Sequence, residues 1–240
     1  MKMDKNKDYV ITINREVGSG GRTVGRMLAQ HLDVPFYDKA LINALTEMYH
    51  LSVEEIEELK NGQPLYNQKL VNALAKHYHL TAQELEQIKS QDDWDEFWKN
   101  ATANTNMAAT LAELNRAGGI PTTEDIYKAE TEFLTNLADK GPCVIAGRSG
   151  YYVLRSHPNH LNIFIQASME HRIERVMRRQ KVNRQEAEDI IERVDRMRED
   201  YIRRYTGTTR YDTRNYDLVI NMDGMTEEMA VKVICEYINN

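Results

Sequence analysis

The opening of this chain limits it to few folds. Tyr9-Val-Ile-Thr-Ile-Asn14 is a short apolar, β-branched run, the pattern of a buried strand. It runs into a glycine cluster, Gly18-Ser-Gly-Gly21, after which Val24, Met27, Leu28 and Leu32 recur at helical spacing. Strand, glycine turn and helix in that order open an α/β nucleotide-binding domain. A glycine-rich turn lets backbone N–H groups converge on an anion, and the helix that follows adds its positive end. Gly18, Ser19, Gly20, Gly21, Arg22 and Thr23 are therefore the candidate phosphate-binding residues.

The loop is a degenerate form of the phosphate-loop pattern G-x-x-x-x-G-K-[ST]. One frame starts at Glu16 and sets Gly21-Arg22-Thr23 over G-K-T; the other starts at Arg15 and sets Gly20-Gly21-Arg22 there. Neither frame has the first glycine or the lysine. Arg22 or Arg15 is the candidate replacement cation, although a planar guanidinium is not a compact ammonium. In the first frame Thr23 offers a hydroxyl to magnesium. The dinucleotide fingerprint is also incomplete, because its third glycine position holds Thr23.

Further short apolar runs follow at Val34–Asp38, Cys143–Ala146, Leu161–Ile165 and Tyr216–Ile220, separated by helical patterns. Helices are expected near Thr123–Lys140, Met169–Lys181 and Arg184–Arg204, and Thr226 caps a last one with Glu227 and Glu228 in its first turn. Five strands alternating with helices predict an α/β, P-loop NTPase-like, doubly wound five-stranded parallel sheet. The 240 residues suit one domain carrying a helical insertion at 39–140. Within this region residues 35–60 are echoed by 64–89, identical at 12 of 26 positions, with Asp38 replaced by Asn67. Two copies are too few for a solenoid, so the duplication is read as an enlarged helical subdomain in preference to a second ligand site.

The chain has no apolar run of membrane-spanning length and a charged amino terminus, so neither a membrane span nor a secretory signal is expected. Cys143 and Cys235 form no disulfide framework and fit a reducing, cytoplasmic setting. A net charge of -6 argues against a general nucleic-acid partner. Trp94, Phe97 and Trp98 form a hydrophobic face whose first use is core; a homo-oligomer contact through the insertion or a cover for the acceptor are its other uses. His77 and His79 lie on different helix faces and do not form a metal pair.

Val10-Ile-Thr-Ile-Asn-Arg-Glu-Val-Gly-Ser-Gly-Gly-Arg-Thr-Val-Gly25, Leu28-Ala29 and Pro35-Phe-Tyr-Asp38 resemble the cytidylate kinase-like family, a divergent branch of the P-loop nucleoside monophosphate kinases. The likeness returns at Val144-Ile-Ala-Gly-Arg148, Leu161–Ser168, Glu170-His-Arg172, Arg175, Glu192-Arg-Val-Asp-Arg196 and Tyr216–Asn221. It implies phosphoryl transfer from ATP, with magnesium, to a nucleoside monophosphate such as CMP or dCMP. By position, Asp38 resembles the acid near the acceptor and Arg148 the arginine on the acceptor's phosphate. Arg193 and Arg196 resemble lid arginines. Ala146 and Ser149 stand where true cytidylate kinases carry acids, Met197 where they carry an acid, and Asp200 where they carry an arginine, for which Arg198 or Arg203 is the candidate substitute.

Residues 172–214 hold 12 arginines and Lys181 against nine acids, in a chain that is acidic overall. On charge alone this is a solvated helical hairpin, with Asp189/Arg193 and Glu192/Arg196 able to pair at i,i+4. Together with the resemblance it becomes an arginine-rich lid over 169–214, with Arg22, Arg193, Arg196 and Arg198 as the catalytic candidates. Tyr201, Tyr205 and Tyr211 read as packing residues. Two rivals stand beside the kinase reading: a nucleotide-binding sensor or scaffold with impaired catalysis, and a kinase for another small acceptor.

Overall fold

The computed structural model describes residues 3–4, 6–38, 45–46, 48–60, 121–147 and 149–239. The chain forms two compact units, one of Met1–Leu41 with Glu130–Asn240 and the other of Ile42–Ala129. Arg148, the second repeat at 64–89, His77, His79, Trp94, Phe97 and Trp98 lie outside the described residues. Of the second unit, helix α2 is Val53–Lys60, opened by reciprocal bonds between Ser52 and Glu55.

The first unit is built on one parallel sheet. Its strands are β1 Val10–Arg15, β2 Phe36–Tyr37, β3 Cys143–Ala146, β4 His160–Gln166 and β5 Leu218–Asn221. They stand in the order β2-β3-β1-β4-β5, and every pairing is parallel. The helices are α1 Gly21–Leu32, α3 Thr123–Ala138, α4 Gly150–Val153, α5 Met169–Gln180, α6 Arg184–Thr206 and α7 Glu227–Asn239. The expected five-stranded parallel sheet is present. β2 is shorter than its apolar run, pairing only Phe36 with Val144 and Tyr37 with Ile145. β5 starts two residues later than expected, because the Tyr216 N–H donates to the Thr213 carbonyl and closes the 3-10 turn Thr213–Asn215 instead of joining the ladder.

Alternation along β1 divides its residues between two faces. Ile11 and Ile13 join Ile163 and Ile165 under α1 and α7, against Val24, Leu28, Ala230 and Ile234. On the other face Val10, Cys143 and Ile145 meet Leu134 and Ala138 of α3. That second face also carries a polar row, in which Thr12 Oγ1 bonds both Asn162 and His160 Nε2, the latter at 2.8 Å.

Burial, outweighing the pull of Leu154 and Asp217 and aided by His157, pushes the His160 imidazole down to about 4. The unfolded chain binds that proton near the ordinary 6.5, the native one only near 4. Between these values the unfolded state holds more protons, so native stability falls as pH drops from about 6.5 to about 4, by on the order of 3 kcal/mol from this group. Urea melts at pH 7 and pH 4.5 should therefore show a smaller acid loss in His160→Gln than in the parent; equal losses would reject the assignment.

Candidate phosphate-loop site

The connection leaving β1 runs to β2 on one side of the sheet, while that leaving β4 runs to β5 on the other. Diverging connections open a crevice at the strands' carboxyl ends, where ligands of doubly wound sheets bind. Residues 16–20 occupy that crevice, directly after β1.

Gly18 and Gly20 take φ values of +82° and +86°, bracketing Ser19 in a tight turn. Gly18 cannot carry a side chain, since a Cβ there would stand 2.6 Å from the Arg172 carbonyl oxygen. Ser19 is fully buried, and both its N–H and its hydroxyl donate to the Glu16 carbonyl, at 3.4 and 3.0 Å. Its side chain thus closes the turn. Gly20 caps α1, and Gly21 and Arg22 open it, where a helix offers its N–H groups no internal acceptor. These amides and the positive helix end are the anion-attracting part of the loop.

A cleft of about 260 Å³ opens over this turn. Arg15, Arg22, Arg175, Arg179 and Arg198 line it, with Glu16 as the acid among its described lining residues. Guanidinium forks match phosphate oxygens in pairs, so the lining chemistry selects an anion with several oxygens. Arg175 donates to Thr23 Oγ1 at 3.1 Å and pairs with Glu227 at 2.6 Å. Burial works against the Glu227 carboxylate, yet its own backbone N–H and the Arg175 fork hold it below the ordinary range.

Asp38, at the end of β2, pairs with Arg22 and, at 3.4 Å, with Arg15. The Arg15 guanidinium crosses Gly147, where a Cβ would stand 2.0 Å from it. The ends of β1, β2 and β3 are thereby joined around one charge cluster. The φ of +77° at 147 favours glycine, and a side chain there would displace the Arg15 guanidinium from the cluster.

Of the lid candidates on α6, Arg198 lines the cleft, whereas Arg193 and Arg196 are exposed and do not line it. Among the described residues, neither Asp189/Arg193 nor Glu192/Arg196 forms an ion pair; α6 uses Arg184–Glu188 and Arg203–Glu199 instead.

The residue that sequence reasoning missed is Asp195. It is buried, accepts the Val17 N–H at 3.1 Å, and is paired with Arg172, Arg198 and Arg210. Arg172 also donates to the Val17 carbonyl at 2.7 Å and pairs with Glu16. Fully buried Arg210 donates to the Arg15 carbonyl, which Arg198 also reaches at 3.5 Å. One carboxylate on α6 thus fixes the peptide that leads into the glycine turn. A signal was present: Ala187, Ile191, Asp195 and Ile202 share one stripe of the helix, and an acid on a buried stripe requires cations.

The cytidylate kinase-like family model matches residues 10–65 and 60–224. The chain belongs to that family. It shares its fold with an uncharacterized protein from Eubacterium ventriosum ATCC 27560, at 23% identity and a TM-score of 0.60, covering 97% of this chain and 99% of that one. Shikimate kinase from Bacteroides thetaiotaomicron is 13% identical, with a TM-score of 0.46 over 97% of this chain and 99% of its own. A gluconokinase from Sinorhizobium meliloti 1021 is 14% identical, with a TM-score of 0.44 over 97% and 96%. Among curated proteins none matches the chain. Membership of this kinase-like family supports phosphoryl transfer to a small molecule.

Proposed function

We propose that this member of the cytidylate kinase-like family transfers a phosphoryl group from ATP to a nucleoside monophosphate, with CMP or dCMP as the first acceptors to test. The observation that carries the proposal is the arginine-lined cleft over the glycine turn. Phosphoryl transfer needs positioning and charge neutralisation more than covalent help, and guanidinium groups supply both.

The donor phosphates fit the amides at Gly18 and Gly20–Arg22, with Arg175 and Arg179 also lining the cleft. ATP supplies the transferred group, and Mg2+ neutralises its oxygens when bound. Magnesium keeps most of its waters and needs few protein ligands, so Thr23 Oγ1 would hold it once the Arg175 guanidinium, which donates to that oxygen at 3.1 Å, turns to a phosphate. Among the described residues no cluster of three or more His, Cys, Asp or Glu side chains is placed to hold a metal. Arg22, held by Asp38, takes the part of the loop's missing lysine. Arg198 reaches the cleft from α6, whereas Arg193 and Arg196, exposed on other faces of the same helix, do not. By the resemblance Asp38 and Arg148 are the residues that bind the acceptor, and closure over it excludes water from the transferred group.

A coupled assay with ATP, magnesium and a panel of nucleoside monophosphates tests this. Turnover is expected with a pyrimidine monophosphate, and Arg198→Ala should lower kcat by about a hundredfold or more with a smaller change in KM. No turnover with any acceptor, together with magnesium-dependent ATP binding by calorimetry, would favour the sensor reading. The altered loop, with neither its first glycine nor its lysine, is the feature that favours that alternative.

A further inference from the structure

The larger of the two cavities described here is not at the phosphate loop. It measures about 610 Å³ and lies at the amino-terminal ends of β4 and β5, across the sheet from the glycine turn. Its size falls in the range of small-molecule sites. Its walls come from the turn between α4 and β4 and from the loop between α6 and β5.

The lining has three chemical parts. Tyr152 and Tyr216 give the lining its aromatic part: the Arg155 guanidinium stacks over Tyr152 at 3.9 Å from the ring centroid, and the Tyr216 ring packs against Tyr151 and Phe164 at 5.3 and 5.0 Å. Arg155 and Arg214 bring positive charge to the rim, and both are exposed. Arg155 uses one nitrogen on the Tyr152 carbonyl at 2.7 Å, and Arg214 is forked onto Asp212. Asp217, three residues along the same loop from Arg214, provides an acceptor, anchored because one carboxylate oxygen takes the Asn162 N–H at 2.7 Å. Behind them His160 is held neutral at pH 7 by burial, so the floor adds no charge of its own.

A flat ring with an amino group and a pendant anion meets all three parts at once. The ring takes the place of the exposed Arg155 guanidinium on Tyr152, the amino group donates to Asp217, and the anion meets Arg214 and the displaced Arg155. We infer that this cavity is a second binding site, for a nucleoside monophosphate whose base carries an exocyclic amine. The site stands apart from the phosphate loop and does not rest on the phosphoryl-transfer reading.

The test is calorimetric titration of the full chain with AMP and with CMP, repeated in Arg155→Glu, Arg214→Glu and Arg22→Glu. One of the two probes is expected to show a binding event that weakens about tenfold or more in the first two variants. That event should survive in Arg22→Glu, which alters only the phosphate-loop cleft. His157→Ala, at the same rim, gives an independent reading should either charge reversal melt early. Titrations indistinguishable between the parent and the rim variants would overturn the site. So would binding that disappears in Arg22→Glu alone, which would leave the phosphate-loop proposal intact.

Discussion

Asp195→Ala should cost this protein about 3–5 kcal/mol of stability, the loss typical when one partner of a buried charge network is removed. Its carboxylate faces Arg172, Arg198 and Arg210, and Arg210 is fully buried. Without the carboxylate, Arg210 retains the Arg15 carbonyl as a hydrogen-bond acceptor but loses its nearby anion. The Val17 N–H loses its acceptor too, at the point where the chain turns into the glycine loop. Asp195→Asn keeps an oxygen for Val17 and removes only the charge, so its loss should be smaller. Urea unfolding of the two variants checks the order. A loss below about 1 kcal/mol in the alanine variant, the range of an exposed ion pair, would show that the network is not desolvated in solution.

Gly18→Ala should do comparable damage by another route. At a φ of +82° a side chain brings strain of about 1–2 kcal/mol. The new Cβ would also stand 2.6 Å from the Arg172 carbonyl oxygen and 2.9 Å from its Cα. Backbone in a packed helix cannot rotate away as a side-chain end can, so crowding adds about 1–3 kcal/mol. The expected result is a melting temperature lowered by several degrees, with ATP binding lost or severely weakened. Gly224→Ala is the control. Its φ is +70°, but nothing lies within 4 Å of its Cβ position, so it feels only the backbone term. Equal melting temperatures for the two variants would mean that α5 does not press on the loop.

The strand positions were legible because fully buried parallel strands read as continuous apolar runs. Cys143–Ala146 begins and ends where its run does. Short elements were not: α4 spans Gly150–Val153 and the 3-10 turn Thr213–Asn215, lengths at which periodicity carries no signal. The arginines divide in the same way. Their number on α5 and α6 was plain, but which of them enter the cleft was not. Arg175 and Arg179 proved to line it, while Arg193 and Arg196 face solvent.

That a strand, a glycine turn and a helix open the chain, and that cations gather late in it, follows from residue order alone. Those are local properties, set by side-chain volume, backbone freedom and hydropathy over a few residues. Only the tertiary structure decided that β1 would stand between β3 and β4, that Arg15 would cross Gly147 to Asp38, and that Asp195 would hold Val17. The first two depend on which strands pair across long separations in the chain, the last on how far α6 rotates when its apolar stripe is buried. A rotation of one residue, about 100°, exchanges a cation facing phosphate for one facing water.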